Sequence, residues 1–160
     1  MNADSSSARF SACTFTGNSS AVAGGAIAAV DSSNLGIRKS RFTANRAASG
    51  GAVLADRSAF GTDFTIFDRN RSTAAGSAVQ ILGRKSAGVN PVLSNLTFYR
   101  NGSDGEGAAV FCQQVSPEIR HSVFVVDSTS KNKAVLALGG APRYECNLLH
   151  TLGDGAAGAA

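Results

Sequence analysis

The stretch Ser40 to Ala55, SRFTANRAASGGAVLA, decides the fold, because it contains two tetrads that recur along the chain. One is aromatic and ends in an amide, FTAN (Phe42 to Asn45); the other is small and ends in an aliphatic, GGAV (Gly50 to Val53). The first returns as FTGN (Phe15 to Asn18), FDRN (Phe67 to Asn70) and FYRN (Phe98 to Asn101). Five or six residues after each amide stands a small tetrad, elsewhere GGAI (Gly24 to Ile27), GSAV (Gly76 to Val79) and GAAV (Gly107 to Val110). A decayed copy runs from Phe124, with Asp127 in the Asn place and Val135 as the aliphatic, and a sixth involves Tyr144 and Leu149. Successive Phe positions are 27, 25, 31 and 26 residues apart. Self-similarity at that period marks a solenoid, whose repeats bury their apolar faces only by stacking.

Within a copy, apolar residues come in short pieces separated by Gly, Ser, Asn and Asp, which suits strands of three to five residues and not helices. Two residues before each Phe lie Cys13, Ser40, Thr65, Leu96 and Ser122; five before lie Phe10, Ile37, Thr62, Leu93 and Ile119. Stacked at the strand spacing of about 4.8 Å, like residues fall on like. Phe15, Phe42, Phe67, Phe98 and Phe124 form one column, and Asn18, Asn45, Asn70 and Asn101 form an amide ladder that Asp127, with no donor, interrupts. Gly24, Gly25, Gly50, Gly51, Gly76 and Gly107 fit a tight bend. The expected fold is all-β: a right-handed parallel β-helix of five to six coils and three short sheets. Coils start near residues 10, 37, 62, 93, 119 and 144, between an N-terminal flank (1–9) and a flexible Gly/Ala tail (152–160), with the β-helix over 10–151.

The paired motifs resemble the polymorphic outer-membrane protein repeats of chlamydial autotransporters and related extracellular repeat proteins, defined by paired FxxN and GGA(I/L/V) tetrads, over about residues 10 to 137. The resemblance implies a parallel β-helix, of the pectin-lyase-like kind, carried on a cell surface or secreted, with adhesion as its role. The chain departs from the pattern at Ser77 and Ala108, which replace the second Gly, and at Asp127. No stretch approaches the roughly 20 apolar residues of a membrane span, and MNADSSSARF contains no signal-peptide core. Both ends read as cut from a longer surface protein.

Chemistry is sparse. The acids fall at differing offsets within their coils, so no column of carboxylates forms for general acid–base work, and no catalytic residue, metal ligand or cofactor is expected. Cys13, Cys112 and Cys146 sit in coils one, four and six, too far apart to bridge, and the repeat places no histidine beside any of them. His121 and His150 occupy different columns. Basic residues are patterned: ten of fifteen lie between residues 38 and 100, against Asp56, Asp63 and Asp68. Arg69 and Arg100 hold one place in successive coils, Arg46 and Arg71 another, and Arg84 and Lys85 tip a longer loop (80–92). These are the candidate binding residues, for a glycan or an acidic protein surface; without interleaved aromatics, nucleic acid is not expected. Four Asn-x-Ser/Thr sequons occur, at Asn18, Asn70, Asn95 and Asn101; the ladder asparagines among them read as structural. The expected role is non-enzymatic adhesion or scaffolding, with self-association through the end coils open. The alternative is a fragment or diverged member of a carbohydrate-active β-helix enzyme of lyase or hydrolase type.

Overall fold

The computed structural model describes residues 2–4, 6–83, 90–105, 108–127 and 133–152. Every regular element among them is a strand, and every strand pairing is parallel. The chain is therefore a β-solenoid. One six-stranded sheet, the entry face, carries Ser7–Ser11, Asn34–Arg38, Ala59–Asp63, Val92–Ser94, Glu118–Arg120 and Arg143–Glu145. The next, the aromatic face, carries Thr14–Thr16, Arg41–Thr43, Ile66–Asp68, Thr97–Tyr99, Val123–Asp127 and Leu148–Leu152. The third, the aliphatic face, carries Asn2–Asp4, Ile27–Val30, Val53–Asp56, Val79–Leu82, Ala108–Gln113 and Lys133–Leu138.

A fourth sheet corrects the expectation of three. Arg46–Ser49, Arg71–Ala75 and Gly102–Ser103 pair side by side, and single bridges from Ser19 to Arg46 and from Ala23 to Ser49 extend the pairing to the first coil. The residues between amide and glycine are small or hydrophilic, as in RAAS and RSTAA, and long enough to pair as a short strand of their own. Ordering also begins before residue 10, since Asn2–Asp4 and Ser7–Ser11 already pair with the following coil. Of the segment read as a tail, Leu152 closes the last strand, and 153–160 lie outside the described residues.

Register follows the repeat. Phe10, Ile37, Thr62, Leu93, Ile119 and Tyr144 align coil upon coil, as do Ile27, Val53, Val79, Val110 and Val135. The five phenylalanines form a continuous stack with ring centroids 4.6, 5.1, 5.0 and 4.7 Å apart and planes within 14° of parallel. Phe42, Phe67 and Phe98 are fully buried. The last coil has no coil packed over it among the described residues, and Tyr144, Leu148 and Leu149 are exposed there. No helix among the described residues is long and apolar enough to cross a membrane, which says nothing of a β-barrel.

Sharp corners join the faces. Between the entry and aromatic faces, three residues before each aromatic position, stand Ala12, Lys39, Phe64, Asn95, His121 and Cys146, all with φ between 48 and 55°. The left-handed region costs a non-glycine residue about 1 kcal/mol or more. The repeat offsets this by giving each of the first five corner N–H groups a carbonyl on the next coil, from Ala12 to Arg38 through to His121 to Glu145. Glycine is required at the opposite corner. Gly24, Gly50 and Gly76 have φ of 59, 57 and 64°, and a Cβ on Gly51 would collide with the carbonyl oxygen of Ser77. In the third coil Ser77 replaces the second glycine, and its hydroxyl donates to the Ala108 carbonyl at 3.0 Å. Gly107 lies outside the described residues.

Candidate binding surface

The structural ladders occupy the interior. The Oδ1 atoms of Asn45, Asn70 and Asn101 each accept twice from the preceding coil: that of Asn70 takes the Asn45 N–H and the Asn45 Nδ2, each at 3.0 Å. The Asn70 Nδ2 in turn donates to Asn101 Oδ1 and to the Phe42 carbonyl, both at 3.0 Å. Asn18 joins through Asn45 at 2.9 Å, and Asn101 closes onto the Phe67 carbonyl at 2.8 Å. The side chain of Asp127 lies outside the described residues. Three of the sequon amides therefore donate within the ladder, and the fourth, Asn95, donates to Asp63 at 2.8 Å. A second polar column runs two residues before the aromatics. Ser40 and Ser122 accept N–H groups from Cys13 and Leu96 while donating back to Arg38 and Arg120, and Asn147 continues the column above Ser122.

The basic ranks exist in register, and within them Arg69 and Arg71 are paired with acids. Arg41 and Arg69 both donate to the buried Asp68, at 3.0 Å each, across and within a coil. Hydrogen bonding to Arg69 holds the Asp68 carboxyl below its ordinary value against the opposing effect of burial, with Arg41 adding to it. Burial pushes Asp63 upward, but hydrogen bonds from Asn95 and Ser94 and the Arg38 charge outweigh it together and leave that carboxyl lowered. Arg57 pairs with Asp31 and Asp56, and Arg71 approaches Asp104 at 3.6 Å. Arg46 lies beside Arg71 in register and with it lines a hollow of about 250 Å³ that also includes Ser72, Thr73 and Asp104. The Arg100 guanidinium sits 5.2 Å from the Tyr99 ring centre. Arg84 and Lys85 lie outside the described residues, but the described ends of their loop, Leu82, Gly83 and Pro91, border a hollow of about 420 Å³ with Arg57, Ser33 and Asn34.

A surface that sequence reading did not single out lies across the entry face. Its outward column runs Arg9, Gly36, Gly61, Val92, Glu118 and Arg143. The two stacked glycines floor an open trough of about 410 Å³, edged by Arg38, Asp63 and Ser94. Neither glycine has positive φ. A Cβ at Gly36 would only touch Arg9 Cγ at 3.5 Å, and one at Gly61 the Val92 carbonyl at 3.8 Å, both ordinary contacts. Glycine in a strand interior costs roughly 0.5–1 kcal/mol relative to alanine, and these two are not needed by the backbone. A glycine inside a strand is often found at a bulge, at a tight bend or where a ligand or another chain approaches closely, and the pairing here runs through both positions without a register shift. At the trough's edge Asp63 is followed by Phe64, an aromatic 52% exposed on the left-handed corner. The signal in the sequence was the pair Gly36 and Gly61, each one residue before an inward Ile37 or Thr62.

One further correction concerns the thiols. Cys13, Cys112 and Cys146 are free, as spacing implied. Cys112 is fully buried, and burial pushes its thiol up to about 12, which makes it unreactive. Cys146, however, stands on the corner column directly above His121, so a histidine does lie beside a cysteine, with Glu145 next to both. Both residues lie three before their aromatic position, at Phe124 and Leu149, an offset the sequence contained.

Residues 12–30, which contain FTGN and GGAI, match the model of the Chlamydia polymorphic membrane protein (Chlamydia_PMP) repeat. That match covers the first coil, and the later tetrads occupy the same structural positions by register. No curated protein and no solved structure matches the chain.

Proposed function

We propose that this chain is a non-enzymatic segment of a surface-displayed or secreted repeat protein, in which the solenoid is a rigid rod presenting a glycan-binding trough. The observation that carries the reading is the pair of stacked outward glycines, Gly36 and Gly61, which open the trough at a cost the fold does not require. A floor without side chains admits a flat ring. Arg9, Arg38 and Asp63 supply polar contacts at its edges, and Phe64, next to Asp63 on the corner, is exposed. Surface display is supported by the repeat matched at residues 12–30. Asp63 and Asp68 are tied to arginines or amides, which supports a structural and binding role for them.

The test is a glycan array of neutral and uronate-containing oligosaccharides, followed by reducing-end and unsaturated-product assays on each bound species. Binding without product is expected. Gly61→Val, which fills the floor, should weaken binding at least tenfold while leaving the circular dichroism of the solenoid unchanged; Arg71→Glu, in the separate hollow, should leave it unaltered. Product formation abolished by neutralising one acid would establish the enzyme reading instead. Retained binding in Gly61→Val would remove the trough from the proposal.

A further inference from the structure

We propose that His121, Glu145 and Cys146 form a binding site for a divalent transition metal of the zinc class, clipping the last coil of the solenoid to the one before it. The inference is independent of the trough, which lies on earlier coils. His121 and Cys146 hold the same corner place on consecutive coils, both with φ of 49°. The His121 N–H donates to the Glu145 carbonyl at 2.9 Å, fixing the coils against each other at this point. Consequently an imidazole nitrogen, a carboxylate oxygen and a thiol sulfur all lie within 4.8 Å of one another, and all three residues are exposed.

The donor set is selective. Imidazole, thiolate and carboxylate together are zinc ligands, while calcium and magnesium take oxygen ligands and gain nothing from sulfur or imidazole. Bonds of about 2.0 to 2.3 Å to a tetrahedral ion place donor atoms roughly 3.5 Å apart. Exposed side chains close the remaining gap by rotation about their own bonds, without backbone movement. Three protein donors leave a fourth position for water. Tyr144, Leu148 and Leu149 are exposed on the last coil, so that coil has less burial to hold it than the inner ones. An ion bound only when both coils are in register stabilises the folded state by mass action.

The experiment uses the full 160-residue chain, reduced and stripped of metal, titrated with Co²⁺ as a spectroscopic probe and then with Zn²⁺ in competition. One equivalent of Co²⁺ should give thiolate-to-cobalt charge-transfer absorption in the near ultraviolet, and Zn²⁺ should displace it. Cys146→Ser should abolish that band, and His121→Ala should weaken Zn²⁺ binding at least about tenfold. Cys13→Ser should leave both unchanged. Because all three ligands are exposed, unaltered far-ultraviolet circular dichroism is expected in each variant. As a second readout on the unmodified chain, Zn²⁺ should protect Cys146 from maleimide labelling, assigned by peptide mass. Absence of the band in the unmodified chain, its persistence in Cys146→Ser, unchanged Zn²⁺ affinity in His121→Ala, or displacement of Co²⁺ by Ca²⁺ as readily as by Zn²⁺ would each overturn the site.

Discussion

Asn70 is the residue on which the interior turns. Its side chain accepts twice and donates twice, and every one of those four bonds crosses to another coil. Aspartate has the same shape but no donor. In Asn70→Asp the groups facing the former Nδ2, Asn101 Oδ1 and the Phe42 carbonyl, would oppose a buried carboxylate. Leaving buried groups unsatisfied costs roughly 1–3 kcal/mol each, so the substitution should lower unfolding free energy by about 3 kcal/mol or more. Asn18, exposed at the first coil, has fewer such bonds to lose, and Asn18→Asp should cost under about 1 kcal/mol. Urea titrations of the two variants provide the comparison; equal losses would mean that the ladder is decorative. This column was legible in the sequence because identical residues recur at one offset. The His121–Cys146 pair was not, since the eye that seeks metal sites looks for short spacings and these ligands lie 25 residues apart. A solenoid makes one period equivalent to one strand spacing, and search by offset within the repeat would have found them.

At the scale of the element, glycines that look alike in sequence have opposite physical status. Gly51 is enclosed: a Cβ there would meet Ser77 and Arg71 carbonyl oxygens, which belong to the backbone and cannot move aside. Gly36 lies on an open strand face with its nearest neighbour at 3.5 Å. Gly51→Ala should therefore destabilise the chain severely, by about 3 kcal/mol or beyond, as overpacking against main chain does. Gly36→Ala should stabilise it by roughly 0.5–1 kcal/mol by restricting the unfolded chain, and at the same time weaken glycan binding. Thermal melts of both variants, with binding measured on the second, separate the two roles. If Gly36→Ala destabilises, the glycine serves the strand and the trough loses its principal argument. Element boundaries were partly readable. The five residues from Asn45 to Gly50 against six from Asn70 to Gly76 foreshadow the register shift between Ser72 and Ala75. The fourth sheet was not readable, because alanine- and serine-rich segments such as RAAS lack the β-branched signature of strands and pair here only because neighbouring coils bring them together.

For the whole molecule, charge is where sequence and three dimensions diverge most. Counted along the chain, residues 38 to 100 look like a basic ridge; folded, the ridge is laced to its acids by bonds that join coils. Arg38 reaches Asp63 and Arg41 reaches Asp68, in each case one period away, and Arg57 reaches back to Asp31. Residues so distant in sequence become neighbours only through stacking, so composition could not reveal the pairing. Their consequence is a pH dependence with a definite sign. Asp68 and Asp63 hold protons less tightly in the folded state than in the unfolded chain, so their contribution is complete above the ordinary aspartate value and disappears as pH falls through the lowered one. Urea unfolding free energy should therefore be flat near neutrality and decline below about pH 4. Asp68→Asn, which retains an acceptor but not the charge, should lower stability at neutral pH by roughly 1–2 kcal/mol and make the acid decline shallower. A variant that loses stability at neutral pH yet keeps the full acid slope would assign the acid sensitivity to other carboxylates and reduce Asp68 to a packing role.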